Sequence, residues 1–108
     1  MKPTELVQGT LDLLILKVTA PEPLHGWAIA NRIRLVSKES LLVQQGSLYP
    51  ALHRLEQGGW LRSEWRSTES GRRAKFYSLT RDGRKKLAQE LSQWEKLSGG
   101  IRLVLENT

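Results

Sequence analysis

The sequence predicts a mainly α-helical domain with a small β-hairpin, in the order helix, helix, helix, strand, strand, helix. Three observations lead there. Apolar residues recur at three- and four-residue spacing in four separate stretches, the repeat of amphipathic helices. Two short aromatic-rich runs, 60–66 and 74–79, flank a polar segment containing Gly71, the pattern of a hairpin. The excess positive charge is confined to the window around that hairpin.

The elements follow in order. Leu11, Leu14, Ile15 and Val18 form one apolar stripe of the first helix, and Leu13 and Leu16 put apolar groups on a second face. A helix apolar on two sides is usually packed between two partners. Pro21 and Pro23 end it. The second helix runs from about His25 to Ser37 on Ile29, Ile33 and Val36, with Gly26 permitting a close helix crossing. The third begins at Gly46-Ser47, with Ser47 as N-cap and Pro50 in the first turn, where its missing N–H costs nothing. Leu48, Ala51, Leu52 and Leu55 make its inner stripe, and Gly58-Gly59 close it. Pro50, His53, Arg54 and Gln57 project from the opposite side, with Tyr49 on the flank. After the hairpin, Thr80 caps a long last helix and Asp82 suits the positive end of its dipole. Three helices followed by a two-stranded hairpin make a winged helix-turn-helix: 1–80 read as the winged domain and 81–108 as a C-terminal dimerisation helix, the two forming one compact unit.

A chain of 108 residues has room for one domain with a modest core, which a second copy can extend. The absence of cysteine excludes disulfides, a thiolate zinc site and a cysteine nucleophile. Two histidines, His25 and His53, are too few for a histidine-rich metal site, and no cofactor or metal is expected. No triad order, phosphate loop or ligand spacing points to an enzyme. The longest apolar run, Leu13 to Leu16, is far short of a membrane span, and Met1 to Gly9 lacks a signal-peptide core, so a cytoplasmic protein is expected. Of the 17 Lys and Arg, nine fall within 62–86 against three acids, which accounts for the whole net charge of +6; the remainder balances at eight of each sign. A solvated basic face and a polyanion-binding surface both fit such a window; the aromatics and glycine turn within it favour the second.

The third helix is therefore the candidate DNA reader. A major groove accepts one helix, whose outward side chains meet base edges. Ser47 and Tyr49 suit phosphates, Arg54 guanine or phosphate, and Pro50 a thymine methyl, while His53 and Gln57 share the outward side. An ordinary exposed face, with Ser47 merely capping, is the alternative, and the basic hairpin downstream favours the DNA reading. At the hairpin tip Gly71 turns the chain while Arg72, Arg73 and Lys75 reach for phosphates or a minor groove; a solubilising loop is the alternative. Phe76 and Tyr77 read as packing residues. His25 opens the second helix as a DNA-backbone contact or as a cap. In the last helix Leu87, Leu91, Trp94, Ser98, Ile101 and Leu105 are spaced as the seam of a coiled coil, interrupted by Ser98 and Gly99-Gly100. The stripe outruns what a small winged domain can cover, so a second copy is expected, with Leu13 and Leu16 on the receiving face. Trp94 is an interface anchor, or one wall of a gap between paired indoles that accepts a flat aromatic effector.

Several segments resemble the PadR family of bacterial transcriptional regulators: Gly9-Thr10-Leu11-Asp12-Leu13-Leu14-Ile15-Leu16, Leu24-His25-Gly26-Trp27-Ala28-Ile29-Ala30, Gly46-Ser47-Leu48-Tyr49-Pro50-Ala51-Leu52-His53-Arg54-Leu55-Glu56 and Ser70-Gly71-Arg72-Arg73-Ala74-Lys75-Phe76-Tyr77-Ser78-Leu79-Thr80, with Gly83 after them. The resemblance implies a homodimer in which the last helix packs on the partner's first helix. It also implies a repressor that binds an inverted-repeat operator on double-stranded DNA and is released by a ligand. The family's groove helix falls on 47–57 and its wing on 69–75. Trp27 stands where the family usually has tyrosine, and the C-terminal part is a single helix, shorter than in members with an extended effector-binding region. Two other functions fit the residues: a sensor of planar aromatics centred on Trp94, and a winged helix used for protein contact.

Overall fold

The structure, a computed structural model, describes Thr4, Glu5 and residues 8–108; the leader reading of Met1 to Gly9 lies mostly outside these. The chain runs β1 (Thr4–Glu5), α1 (Gln8–Val18), β2 (Leu24–His25), α2 (Gly26–Val36), β3 (Leu41–Leu42), α3 (Gln45–Gln57), β4 (Leu61–Ser67), β5 (Arg73–Leu79) and α4 (Arg81–Asn107). Four helices and the hairpin stand where the apolar spacing puts them, and the fold is a winged helix. Two features are additional. Leu24–His25 pairs antiparallel with β5, giving a three-stranded sheet of order β2-β5-β4, and β1 pairs in parallel with β3. Two-residue strands have no periodicity to read, so only tertiary pairing reveals them.

The core is one cluster: Leu11, Ile15 and Leu16 of α1, Ile29 and Ile33 of α2, Leu48, Ala51, Leu52 and Leu55 of α3, and Leu24, Leu61, Tyr77 and Leu79 of the sheet. α1 touches all three other helices, which explains its two apolar faces. The buried Thr19 hydroxyl donates to the Ile15 carbonyl at 2.8 Å, so the end of α1 closes without a stranded polar group.

α3 differs from expectation at its start. Gln44, extended at φ −78° and ψ 140°, is the N-cap, and its carbonyl accepts from the N–H groups of Ser47 and Leu48. Ser47 is thus the third helical residue rather than the cap, and its side chain is exposed. Pro50 lies in the second turn and has no N–H for the Gly46 carbonyl; both residues face solvent, where water can satisfy that acceptor. The C-terminus is a Schellman closure: Gly59 N–H bonds to the Glu56 carbonyl at 3.0 Å and Trp60 N–H to the Leu55 carbonyl at 3.1 Å. Gly59 sits at φ +81°, the left-handed conformation that closure needs.

That turn directs the chain into the wing and also locks α4. The Thr80 hydroxyl accepts from Gly83 N–H at 2.9 Å, capping α4, and donates to the Gly59 carbonyl at 2.6 Å. Gly83 lies against the Trp60 carbonyl, and a Cβ there would stand 2.1 Å from that oxygen. From this anchor α4 extends for 27 residues, about 40 Å at 1.5 Å per residue. The molecule is accordingly elongated, at 55 × 34 × 22 Å.

Candidate nucleic-acid interface

α3 buries Leu48, Ala51, Leu52 and Leu55 and leaves Ser47, Tyr49, Pro50, His53 and Gln57 exposed. All five are among the six α3 residues that the sequence offers for DNA contact, Arg54 being the sixth. Arg54 differs. Its guanidinium donates to the Asp12 carboxylate of α1 at 2.6 Å, and this pair ties the two helices together. Burial holds the Asp12 carboxyl above the ordinary aspartate value and outweighs the opposing pull of Arg54. In this conformation the Arg54 guanidinium is engaged inside the protein rather than extended toward a base, because the residue sits at the boundary of the two helix faces and the nearest carboxylate is Asp12. Arg54→Ala is therefore expected to lower stability on the order of 1–3 kcal/mol, the cost of leaving a half-buried carboxylate unpaired. Thermal melts check this, and an unchanged melting point would show the pair to be idle.

Lys75 is also turned inward. Its ammonium lies 3.0 Å from Glu56 Oε1 and over the Tyr77 ring, while the Ser63 hydroxyl donates to Glu56 Oε2 at 2.5 Å. Glu56, on α3, thus holds both strands of the wing, and Lys75 sets the wing's position against α3 instead of reaching for phosphate. The Ser63 hydrogen bond, aided by Lys75, lowers the Glu56 pKa, and the hydrogen bond to Glu56 raises that of Lys75. The latch contributes fully above the ordinary glutamate value of 4.5 and is lost as pH falls through the lowered folded value.

At the wing tip the Thr68 N–H and hydroxyl both donate to the Arg72 carbonyl, at 2.6 and 2.9 Å, and Gly71 turns the chain at φ +86°. Arg72 and Arg73 are exposed. Among the described residues Arg66 pairs with Glu64 and Lys86 with Glu90, whereas Arg62, Arg72, Arg73, Arg81 and Lys85 have no acidic partner. The free cations of the basic window therefore include both arginines of the tip.

A concavity of about 1070 Å³ separates the wing from the start of α2 and α3, with Tyr49 on one side and Arg72, Arg73 and Lys75 on the other. His25 sits at its base as the N-cap of α2: its Nδ1 accepts from Ala28 N–H at 3.3 Å, and its ring meets Phe76 edge-on at 5.1 Å. Capping and packing thus account for the imidazole. Two tryptophans that the sequence reading left out of the site also line this concavity, Trp27 and Trp65, 65% and 61% exposed. Trp65 lies opposite Lys75 in the strand register, a pairing that the sequence alone does not display.

The seam residues divide. Leu16 is fully buried in the chain's own core and cannot serve as a receiving face, because α2, α3 and α4 surround α1. Leu87 packs against that same core, and Leu13 is partly covered. Beyond them Leu91, Trp94, Leu97, Ile101, Val104 and Leu105 are exposed along α4. A cleft of about 270 Å³ between α1 and α4 is lined by Leu13, Trp94 and Leu97. Among the described residues no group of three His, Asp or Glu side chains is placed to hold a metal, and no helix is long and apolar enough to cross a membrane.

Comparison with known proteins places this geometry. The transcriptional regulator PadR-like family model matches residues 15–89. The transcriptional regulator Rv3488 of Mycobacterium tuberculosis is 34% identical over 94 residues, covering 87% of this chain and 84% of the relative. A PadR family transcriptional regulator of Eggerthella lenta superposes with a TM-score of 0.77 at 32% identity over 93% of this chain and 85% of that one. A protein of Streptococcus mutans superposes with a TM-score of 0.84 at 27% identity, covering 96% and 93%. With its winged helix, its outward α3 face and its unpaired tip arginines, the chain belongs to the PadR-like family of transcriptional regulators.

Proposed function

We propose that this protein is a homodimeric, sequence-specific repressor that binds an inverted-repeat operator in double-stranded DNA. The observation that carries the reading is the pairing of an exposed α3 face (Ser47, Tyr49, Pro50, His53, Gln57) with a wing whose Arg72 and Arg73 have no acidic partner among the described residues. α3 enters a major groove, and the tip arginines enter the adjacent minor groove or grip its phosphates. In a two-fold dimer the half-sites lie about one helical turn, roughly 10 bp, apart. Fluorescence anisotropy with genomic duplex fragments, the protein's own promoter included, tests this across a salt series. Tight binding to a few palindromic fragments, with log affinity falling steeply against log salt, supports it; weak and equal binding to all fragments overturns it.

The dimer is supported by the exposed apolar stripe on α4, which a second copy would bury. Ile101→Glu is expected to convert the dimer to monomer at micromolar concentration, read by sedimentation velocity, because it puts a charge in the seam. A variant that sediments like the wild type would place the interface elsewhere. The α1/α4 cleft beside Trp94 favours a second element, a planar aromatic effector that releases the DNA. Quenching of tryptophan fluorescence by such compounds, lost in Trp94→Ala, tests it.

A further inference from the structure

Tryptophan is the largest side chain and is highly buried on average, so exposed tryptophans that share one surface mark a candidate contact site. Here two of the four tryptophans, Trp27 and Trp65, are mostly exposed, and both line the concavity between wing, α2 and α3. The register shows why Trp65 belongs there. In the paired strands Leu61 stands opposite Leu79, Ser63 opposite Tyr77, Trp65 opposite Lys75 and Ser67 opposite Arg73. Side chains alternate along a strand, so these four pairs share one face of the hairpin. That face begins in the core at Leu61 and Leu79, meets α3 through the contacts of Ser63 and Lys75 with Glu56, and then leaves the protein at Trp65. Trp65 is the first residue on the β4 side of that face to be mostly exposed. Trp27 flanks the same space from the first turn of α2, stacked beside the His25 ring at 6.4 Å.

With α3 in a major groove and the wing tip in the neighbouring minor groove, one sugar–phosphate strand must cross between them, through this concavity. Charge agrees: Arg72, Arg73 and Lys75 are among its lining residues, and Glu69 is the single carboxylate there. We propose that Trp27 and Trp65 form an aromatic cradle for that strand, their ring faces packing on deoxyribose and their indole N–H groups facing phosphate oxygens. The cradle positions the duplex between helix and wing without reading sequence, and its contribution is largely apolar, so it resists salt. The inference rests on the DNA-binding reading, and its test separates the two.

The test is duplex anisotropy across salt with Trp27→Ala and Trp65→Ala. Each substitution is expected to weaken binding about 10-fold on every sequence, as loss of a central tryptophan contact does, while leaving the slope of log affinity against log salt unchanged. Both side chains are exposed, so the melting points should match the wild type. As an independent measurement, the quenching of intrinsic fluorescence that DNA produces should shrink in Trp27→Phe and Trp65→Phe. Wild-type affinity in both alanine variants with undiminished quenching in both phenylalanine variants overturns the cradle alone. A loss of affinity that comes with a lower salt slope also overturns it, because the residues would then act through charge. A wild-type protein that binds no duplex at any salt overturns the DNA reading beneath it.

Discussion

Replacing Arg72 and Arg73 together by alanine is expected to reduce duplex affinity on all sequences and to lower the slope of log affinity against log salt by about two, since each phosphate contact contributes about 0.9 to that slope. The expectation follows from the state of the cations rather than their number. Lys75 is held by Glu56, Arg66 by Glu64 and Lys86 by Glu90, so these three already have a counter-charge. Arg72 and Arg73 stand at the end of a hairpin whose turn is closed by the Thr68 bonds to the Arg72 carbonyl, and their guanidiniums carry no acidic partner among the described residues. Anisotropy across a salt series with specific and random duplexes measures both quantities. A slope unchanged in the double variant would take the wing out of the phosphate contacts and leave the binding to α3 alone.

Gly83→Ala is expected to cost about 3 kcal/mol of stability, at the upper end for overpacked sites. The new Cβ would meet the Trp60 carbonyl at 2.1 Å and the Leu79 side chain at 2.6 Å. A flexible side chain could withdraw, but the Trp60 carbonyl cannot, because it accepts the Thr80 N–H at 3.1 Å and the Thr80 hydroxyl is bonded to both Gly59 and Gly83. Relief would require separating α4 from the α3 closure, undoing the cap of the longest helix. For a domain of this size the loss corresponds to a fall of roughly 12–20 °C in Tm, read by circular dichroism. A melting point equal to the wild type would mean that the junction is loose enough to open, and that α4 is not locked to the winged domain.

Local chemistry alone determined the four helices, the hairpin and the outward side of α3. Leu48, Ala51, Leu52 and Leu55 are spaced for one buried stripe, which puts Pro50, His53, Arg54 and Gln57 on the opposite side with Tyr49 on the flank; of these the structure leaves all but Arg54 exposed. The Gly58-Gly59 stop and the Thr80 cap are likewise short-range signals, each complete within a few residues. The tertiary structure decided which charged and apolar groups remain available. Arg54 and Lys75 have the chemistry of DNA contacts, but each finds a carboxylate, Asp12 42 residues away and Glu56 19 residues away, and pairing at such separations leaves no local pattern. Leu16 reads as a receiving face for a partner, yet three neighbouring helices bury it within its own chain. The start of α3 moved from Ser47 to Gln44 because an extended residue at 44 lets its carbonyl begin the helix earlier, which frees the Ser47 side chain. Trp27 and Trp65 lie 38 positions apart in sequence and share one concavity only because β2 and β4 both pair with β5. Spacing along the chain specifies which face of an element is apolar, whereas the partner that satisfies a long polar side chain is chosen by the packing of elements distant in sequence.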